Sequence, residues 1–208
     1  VIPGPEGRIE AIYSPGNGIK PPLSIILHPH PRQGGTMNNK VVYQAFQAFK
    51  ALGFSTLRFN LRGVGKSQGS FDNGIGELTD AACALDWLQS KNQGSVETWV
   101  TGFSFGAWLS LQLLMRRPEI VGFIAISPPT NLYDFSFLSP CPASGLIIQG
   151  SEDSIVEEEE VHNLVNKINL QKNIQINYSK IRGADHFFAN HLENIQELIK
   201  KYISNRNK

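Results

Sequence analysis

The chain has 208 residues, 41% of them hydrophobic, with 19 basic and 18 acidic side chains and a formal net charge of +1. That is enough apolar material for one compact domain over residues 1–208 without disulfides or metal, and the near-neutral balance excludes a field that would draw in nucleic acid. No apolar run approaches the roughly 20 residues that span a bilayer, the longest candidate being 121–126, and residues 1–7 carry no secretory pattern, so the cytoplasm is the expected location.

Strand and helix signals alternate along the chain. Residues 8–13 alternate polar and apolar as an edge strand does, a turn follows at 14–18, and 23–28 form a second strand. Val42, Ala45, Phe46 and Phe49 mark the apolar face of a helix ending at Gly53, where glycine accepts a left-handed cap. Residues 54–61 are the next strand, and Leu78, Ala81, Ala82, Leu85 and Leu88 give another helical face. A short strand at 98–101 runs towards Gly102-Phe103-Ser104-Phe105-Gly106, beyond which Ala107, Leu111, Leu114 and Met115 repeat at helical spacing. Strands at 122–126 and 145–149 are separated by residues 127–142, which hold Pro128, Pro129, Pro140 and Pro142 and have no helical period. Glu157 to Glu160 form a solvated helix start favoured by the helix dipole, and Val161, Leu164, Val165 and Ile168 face inward. A strand at 174–181 and a last helix bearing Leu192, Ile195, Ile199 and Tyr202, with Asn190 and Glu193 as cap and partner, complete the chain. Such alternation implies a mostly parallel sheet with helices on both faces.

The G-x-S-x-G stretch places Ser104 where a buried strand turns directly into a helix, the geometry of a nucleophile elbow. A free serine is a poor nucleophile near neutral pH and needs a histidine to take its proton and a carboxylate to orient that histidine. An acid stands in Gln149-Gly150-Ser151-Glu152-Asp153, just past one strand, and Arg182-Gly183-Ala184-Asp185-His186 supplies a histidine past another. In an open parallel sheet those strand ends share one edge, so the three loops converge on one crevice. Each residue also has a plain structural reading. Asp153 and Asp185 suit solvated turns, and His186 suits a histidine satisfied by a backbone carbonyl.

Other motifs lead nowhere. Gly63-Val64-Gly65-Lys66-Ser67 resembles the end of a phosphate-binding loop, but Asn60 stands where that motif needs glycine and Gln68 breaks the dinucleotide pattern. His28 and His30 have no third ligand at suitable spacing, so neither a metal nor another cofactor is expected. Cys83 and Cys141 match no metal or redox spacing and are expected as free thiols.

The chain resembles the α/β-hydrolase superfamily over nearly its whole length, and within it the small, lidless bacterial hydrolases related to dienelactone hydrolases and acyl-peptidases. The resemblance is carried by His28-Pro29-His30-Pro31 with residues 34–40, by Arg58-Phe59-Asn60-Leu61-Arg62-Gly63-Val64-Gly65-Lys66-Ser67, and by the Ser104 elbow. It implies a Ser104, Asp153, His186 triad on a sheet with one antiparallel strand near the N-terminus, and an open site, since only a short loop stands where many hydrolases insert a lid. It implies an oxyanion hole from the backbone N–H of Phe105 and a second N–H after the 23–28 strand. There Pro29 replaces the family's usual glycine, which leaves His30 as the donor and Arg32 as its fallback, because Pro31 has no N–H. The expected reaction is hydrolysis of small esters or thioesters through an acyl-enzyme; the competing readings are a peptidase or amidase and a non-catalytic binding protein. Phe105, Trp108, Phe135, Phe137, Phe187 and Phe188 are placed either to line an apolar pocket or to fill the core. The expected partner is a small-molecule substrate, with neither nucleic acid nor membrane.

Overall fold

Four of the parallel strands are buried along their whole length and a fifth at all but one residue, the pattern of a sheet covered on both faces. The structure, a computed structural model, describes residues 1–206. Its main sheet has seven strands: β3 (Ala11–Ser14), β4 (Leu23–Leu27), β5 (Ser55–Phe59), β6 (Thr98–Phe103), β7 (Ile120–Ile126), β8 (Gly145–Gly150) and β9 (Ile176–Ile181). They lie in the order β3-β5-β4-β6-β7-β8-β9, with β3 antiparallel to β5 and every other pair parallel.

Helices α1 (Lys40–Ala51) and α5 (Leu192–Arg206) pack together over one face. On the other lie α2 (Ile75–Lys91), α3 (Phe105–Arg116) and α4 (Glu158–Asn169). Successive residues of a strand serve opposite layers: Ile25 and Leu27 of β4 join the layer under α2 and α3, while Ile26 joins the layer under α1 and α5. Asn39 caps α1, its Oδ1 accepting from the N–H groups of Val41 at 2.8 Å and Val42 at 3.2 Å, and Gly53 follows the helix at φ +84°.

Three local expectations are corrected. The 8–13 strand is two strands: β2 (Gly7–Ile9) pairs antiparallel with β1 (Ile2–Gly4) in a separate small sheet, and β3 starts only at Ala11. The break is at Glu10, whose N–H donates to Ser67 Oγ (2.9 Å) and whose carboxylate accepts from Asn60 Nδ2 (2.8 Å) and the Lys66 N–H (2.7 Å). Thus the Gly63-to-Ser67 loop is held by the protein's own carboxylate. The last helix starts at Leu192, so the capping position falls on His191 rather than Asn190. Met115, in the last turn of α3, is 39% exposed, whereas Leu111 and Leu114 are buried. Residues 127–142 contain one 3-10 turn, Ser136–Leu138, and no covering helix. Among the described residues no helix is long and apolar enough to cross a membrane.

Candidate active site

The elbow is built by two close approaches that only glycine permits. A Cβ on Gly102 would lie 2.1 Å from the Gly106 carbonyl oxygen, and one on Gly106 would lie 2.3 Å from that of Leu27 and 2.5 Å from that of His28. Removing both side chains lets α3 start immediately at the end of β6, and Ser104 is left at φ +56°, ψ −119°. A serine held there is strained by about 1–3 kcal/mol, a conformation kept because the strand and helix on either side dictate it.

The two other loops are tied to each other before they reach the serine. Ser151 N–H donates to the Ile181 carbonyl, Glu152 N–H to that of Ala184 (both 3.0 Å), and Gly183 N–H to Ser151 Oγ (2.7 Å). A Cβ on Gly150 would meet the Ala184 oxygen at 2.3 Å, so this junction also needs glycine. The result places His186 Nδ1 2.7 Å from Asp153 Oδ2 and His186 Nε2 3.0 Å from Ser104 Oγ. Because Nδ1 faces only a carboxylate, it carries the ring proton; Nε2 therefore accepts from the serine hydroxyl.

Asp153 is fully buried at its side chain and fully used. Its Oδ1 accepts from the N–H groups of Ile155 and Val156, each at 2.8 Å, and Oδ2 accepts from His186 and from Gln149 Nε2 at 3.1 Å. Burial pushes this carboxyl's pKa up, but the hydrogen bonds from His186 and the Val156 N–H outweigh it and hold the pKa below the usual carboxylate range. Asp185 is the solvated turn residue: its Oδ1 accepts from the Ala189 N–H.

The Phe105 N–H, at the first turn of α3, and the His30 N–H have no hydrogen-bond acceptor among the described residues, and both residues line the cleft with Ser104. Arg32 does not serve as the fallback, because its N–H donates to His30 Nδ1 at 3.1 Å. Burial and the nearby Arg32 charge lower the His30 pKa, which keeps that nitrogen's lone pair available. His28 is equally committed: Nδ1 donates to the Pro29 carbonyl (2.7 Å) and Nε2 accepts from the Leu61 N–H (3.0 Å). No lone pair is left for a metal. Burial pushes the His28 pKa down to about 4.

Of the six aromatics, Phe188 and Phe135 are core, while Phe105 and Phe187 line the cleft. Trp108 stacks at 4.4 Å on Tyr133, which lines the cleft in its place, and Phe137 packs on Phe135 at 5.9 Å. Sequence reasoning missed Tyr133, Gln149 and Ser127. Ser127 Oγ donates to the His186 carbonyl at 3.3 Å and so steadies the histidine backbone. Nothing in the sequence around these three marks them, since their partners are 25 to 60 or so positions away or depend on a single side-chain rotamer.

A seven-stranded sheet with one antiparallel edge strand near the N-terminus, a strained serine on the strand–helix elbow and an acid and histidine from later strand ends define an α/β-hydrolase. Residues 10–163 match the family profile described as X-Pro dipeptidyl-peptidase (S15 family), and the chain belongs to that family. It is 52% identical over 204 residues to the uncharacterized protein RP471 of Rickettsia prowazekii, covering 96% of this chain and 86% of that one. Among solved structures it is similar to ATU1826 of Agrobacterium tumefaciens, a protein of unknown function grouped with the α/β-hydrolases (TM-score 0.96, 53% identity, 99% and 95% of the two chains). It is also similar to XC6422 of Xanthomonas campestris, described as an α/β serine hydrolase without lid (TM-score 0.89, 31% identity, 98% and 92%).

Proposed function

We propose that the chain hydrolyses small carboxylic esters or thioesters through an acyl-enzyme on Ser104. What supports this most is the continuous hydrogen-bonded chain from Asp153 through His186 to the Ser104 hydroxyl, with two N–H groups free beside it. In this mechanism Ser104 Oγ attacks the substrate carbonyl as its proton passes to His186 Nε2. Asp153 keeps the ring in the Nδ1–H tautomer and stabilises the imidazolium. The negative oxygen is received by the N–H groups of Phe105 and His30. Collapse breaks the bond to the alcohol or thiol, which leaves with the proton from His186. Water then attacks the acyl carbon, giving its proton to the same nitrogen, and Ser104 is released with the carboxylic acid.

The substrate is a free small molecule, with no role for nucleic acid or membrane. The reducing cytoplasm suits the two free thiols, Cys83 and Cys141. The S15 family match favours one second reading, cleavage of a peptide or amide bond. A fluorophosphonate probe is expected to label Ser104 in the folded protein and to leave Ser104→Ala unlabelled. Ser104→Ala should lose about 10⁴-fold or more in turnover. A chromogenic ester panel run beside an X-Pro amide panel separates the two readings: turnover of the amides alone would replace the ester assignment, and no label and no turnover would end both.

A further inference from the structure

The cleft at Ser104 is narrow and adjoins a larger groove. Immediately around the hydroxyl it encloses only about 100 Å³. One wall is aromatic: Tyr133 stacks on Trp108, packs at 5.8 Å against Phe105, and is joined by Pro129 and by the exposed side chains of Leu132 and Ile155. At Phe187 the cleft runs on into a groove of about 450 Å³, and the two share Gly34, Asn39 and Phe187, none of which belongs to the Tyr133 wall. Phe187 forms the bank between them. Its ring stands perpendicular to that of His186 at 5.0 Å and is 49% exposed, although it is a large apolar group at the mouth of a site. Beyond it the groove is lined by Val41, Ala189 and Leu192, and Lys40 is the one charged side chain that lines it. Lys40 is exposed and forms no ion pair among the described residues.

The reaction fixes which part of the substrate goes where. His186 Nε2 must deliver its proton to the departing oxygen or sulfur, so the leaving group lies on the histidine side, along Phe187. The acyl chain is left with the narrow cleft against Tyr133. We infer that the groove from Phe187 to Lys40 is a leaving-group subsite, and that the substrates are short-acyl esters or thioesters of a longer alcohol or thiol that ends in an anionic group. Phe187 and Leu192 cover the apolar stem of that group, and Lys40 meets its charge. This rests on the ester or thioester reading above, and the experiment keeps the two apart.

The probes are acetyl thioesters of two hexanethiols, one ending in hydroxyl and one in phosphate, with thiol release as the readout; an acetyl and an octanoyl ester of 4-nitrophenol test the acyl side. The phosphate-ended thioester is expected to have a KM about fivefold lower than its neutral counterpart, the size of one solvent-exposed ion pair, with kcat similar and the difference shrinking as salt is added. Lys40→Ala should erase that preference and Lys40→Glu should reverse it, with unchanged circular dichroism certifying the fold. The acetyl ester should be turned over faster than the octanoyl ester, and Tyr133→Ala should narrow that gap. Equal KM values for the two thioesters, a preference that survives in Lys40→Ala, or an octanoyl ester accepted as well as acetyl would overturn the inference while leaving the esterase reading in place. Wild-type protein that hydrolyses none of the four and takes no fluorophosphonate label fails at the earlier step instead.

Discussion

Asp153→Asn changes one atom and nothing in size, yet the surroundings of that carboxylate give the amide no satisfactory orientation. With its nitrogen in place of Oδ2, it points a donor at Gln149 Nε2, itself a donor, and at His186 Nδ1, which must then accept. The ring proton moves to Nε2, and the nitrogen facing Ser104 no longer has a lone pair to take the serine proton. With the amide reversed, its nitrogen faces the Ile155 and Val156 N–H groups and loses two bonds made at 2.8 Å. Hydrogen bonds to a charged acceptor are worth about 1.5–3 kcal/mol each, so the reversed form loses two and the first form one. The cheaper orientation is therefore the one with the wrong tautomer. Turnover should fall about 10⁴-fold, equivalent to about 5.5 kcal/mol of barrier, whereas stability should fall by only about 1.5–3 kcal/mol. Ester hydrolysis measured against a folded-protein concentration from near-ultraviolet circular dichroism, together with a urea melt, reads both numbers. A folded Asp153→Asn protein within tenfold of wild-type turnover would refute the assigned role of this carboxylate.

Gln149→Leu separates positioning from stability. The amide nitrogen faces three acceptors, the Gly150 and Val156 carbonyls and Asp153 Oδ2, while Oε1 is buried with no partner. Losing the bond and losing the orphan offset each other, so kcat/KM should drop about tenfold with stability within about 1 kcal/mol of wild type; unchanged kinetics in this variant would count against the positioning role. Gly106→Ala drives a Cβ into the backbone of β4 and should cost about 3 kcal/mol or more, read by denaturant midpoint, and a wild-type midpoint would contradict the packing argument. His28 is buried neutral, with a folded pKa near 4 against 6.5 when free. The unfolded chain binds the extra proton first, so stability is fully present above pH 6.5 and falls as pH drops towards 4, by about 3 kcal/mol. His28→Gln should flatten that part of the stability profile, and a slope identical to wild type would show that another group sets it.

The Ser104 elbow was legible in the chain because a serine flanked by two glycines between a strand and a helical period is a pattern of consecutive residues. Of the two glycines, Gly102 answers to a contact within the turn, whereas Gly106 answers to the Leu27 and His28 carbonyls of a distant segment. Asp153 and His186 were legible one step less directly. Each stands just past a strand end, and parallel strands bring such ends to one edge whatever their order. The α/β alternation and the two helical layers followed from the same periodicities. The split at Glu10 was not legible, because alternation over residues 8–13 says which side chains point inward but not that a carboxylate will be claimed by Asn60 and Lys66 from another loop. Nor was the loss of Arg32 as a donor, which turns on which way the His30 ring faces.

The sequence by itself determined the architecture, the nucleophile's turn and the kinds of side chain at three strand ends, since hydrophobic period and the glycine-serine-glycine pattern are carried by residues close together in the chain. Only the tertiary structure decided that Asp153, His186 and Ser104 meet at hydrogen-bonding distance, that Gln149 shares that carboxylate, and that the cleft is walled by Tyr133 and opens past Phe187. Those outcomes depend on directions of side chains that meet across the sheet edge at hydrogen-bonding distance, and direction is fixed by packing rather than by order along the chain.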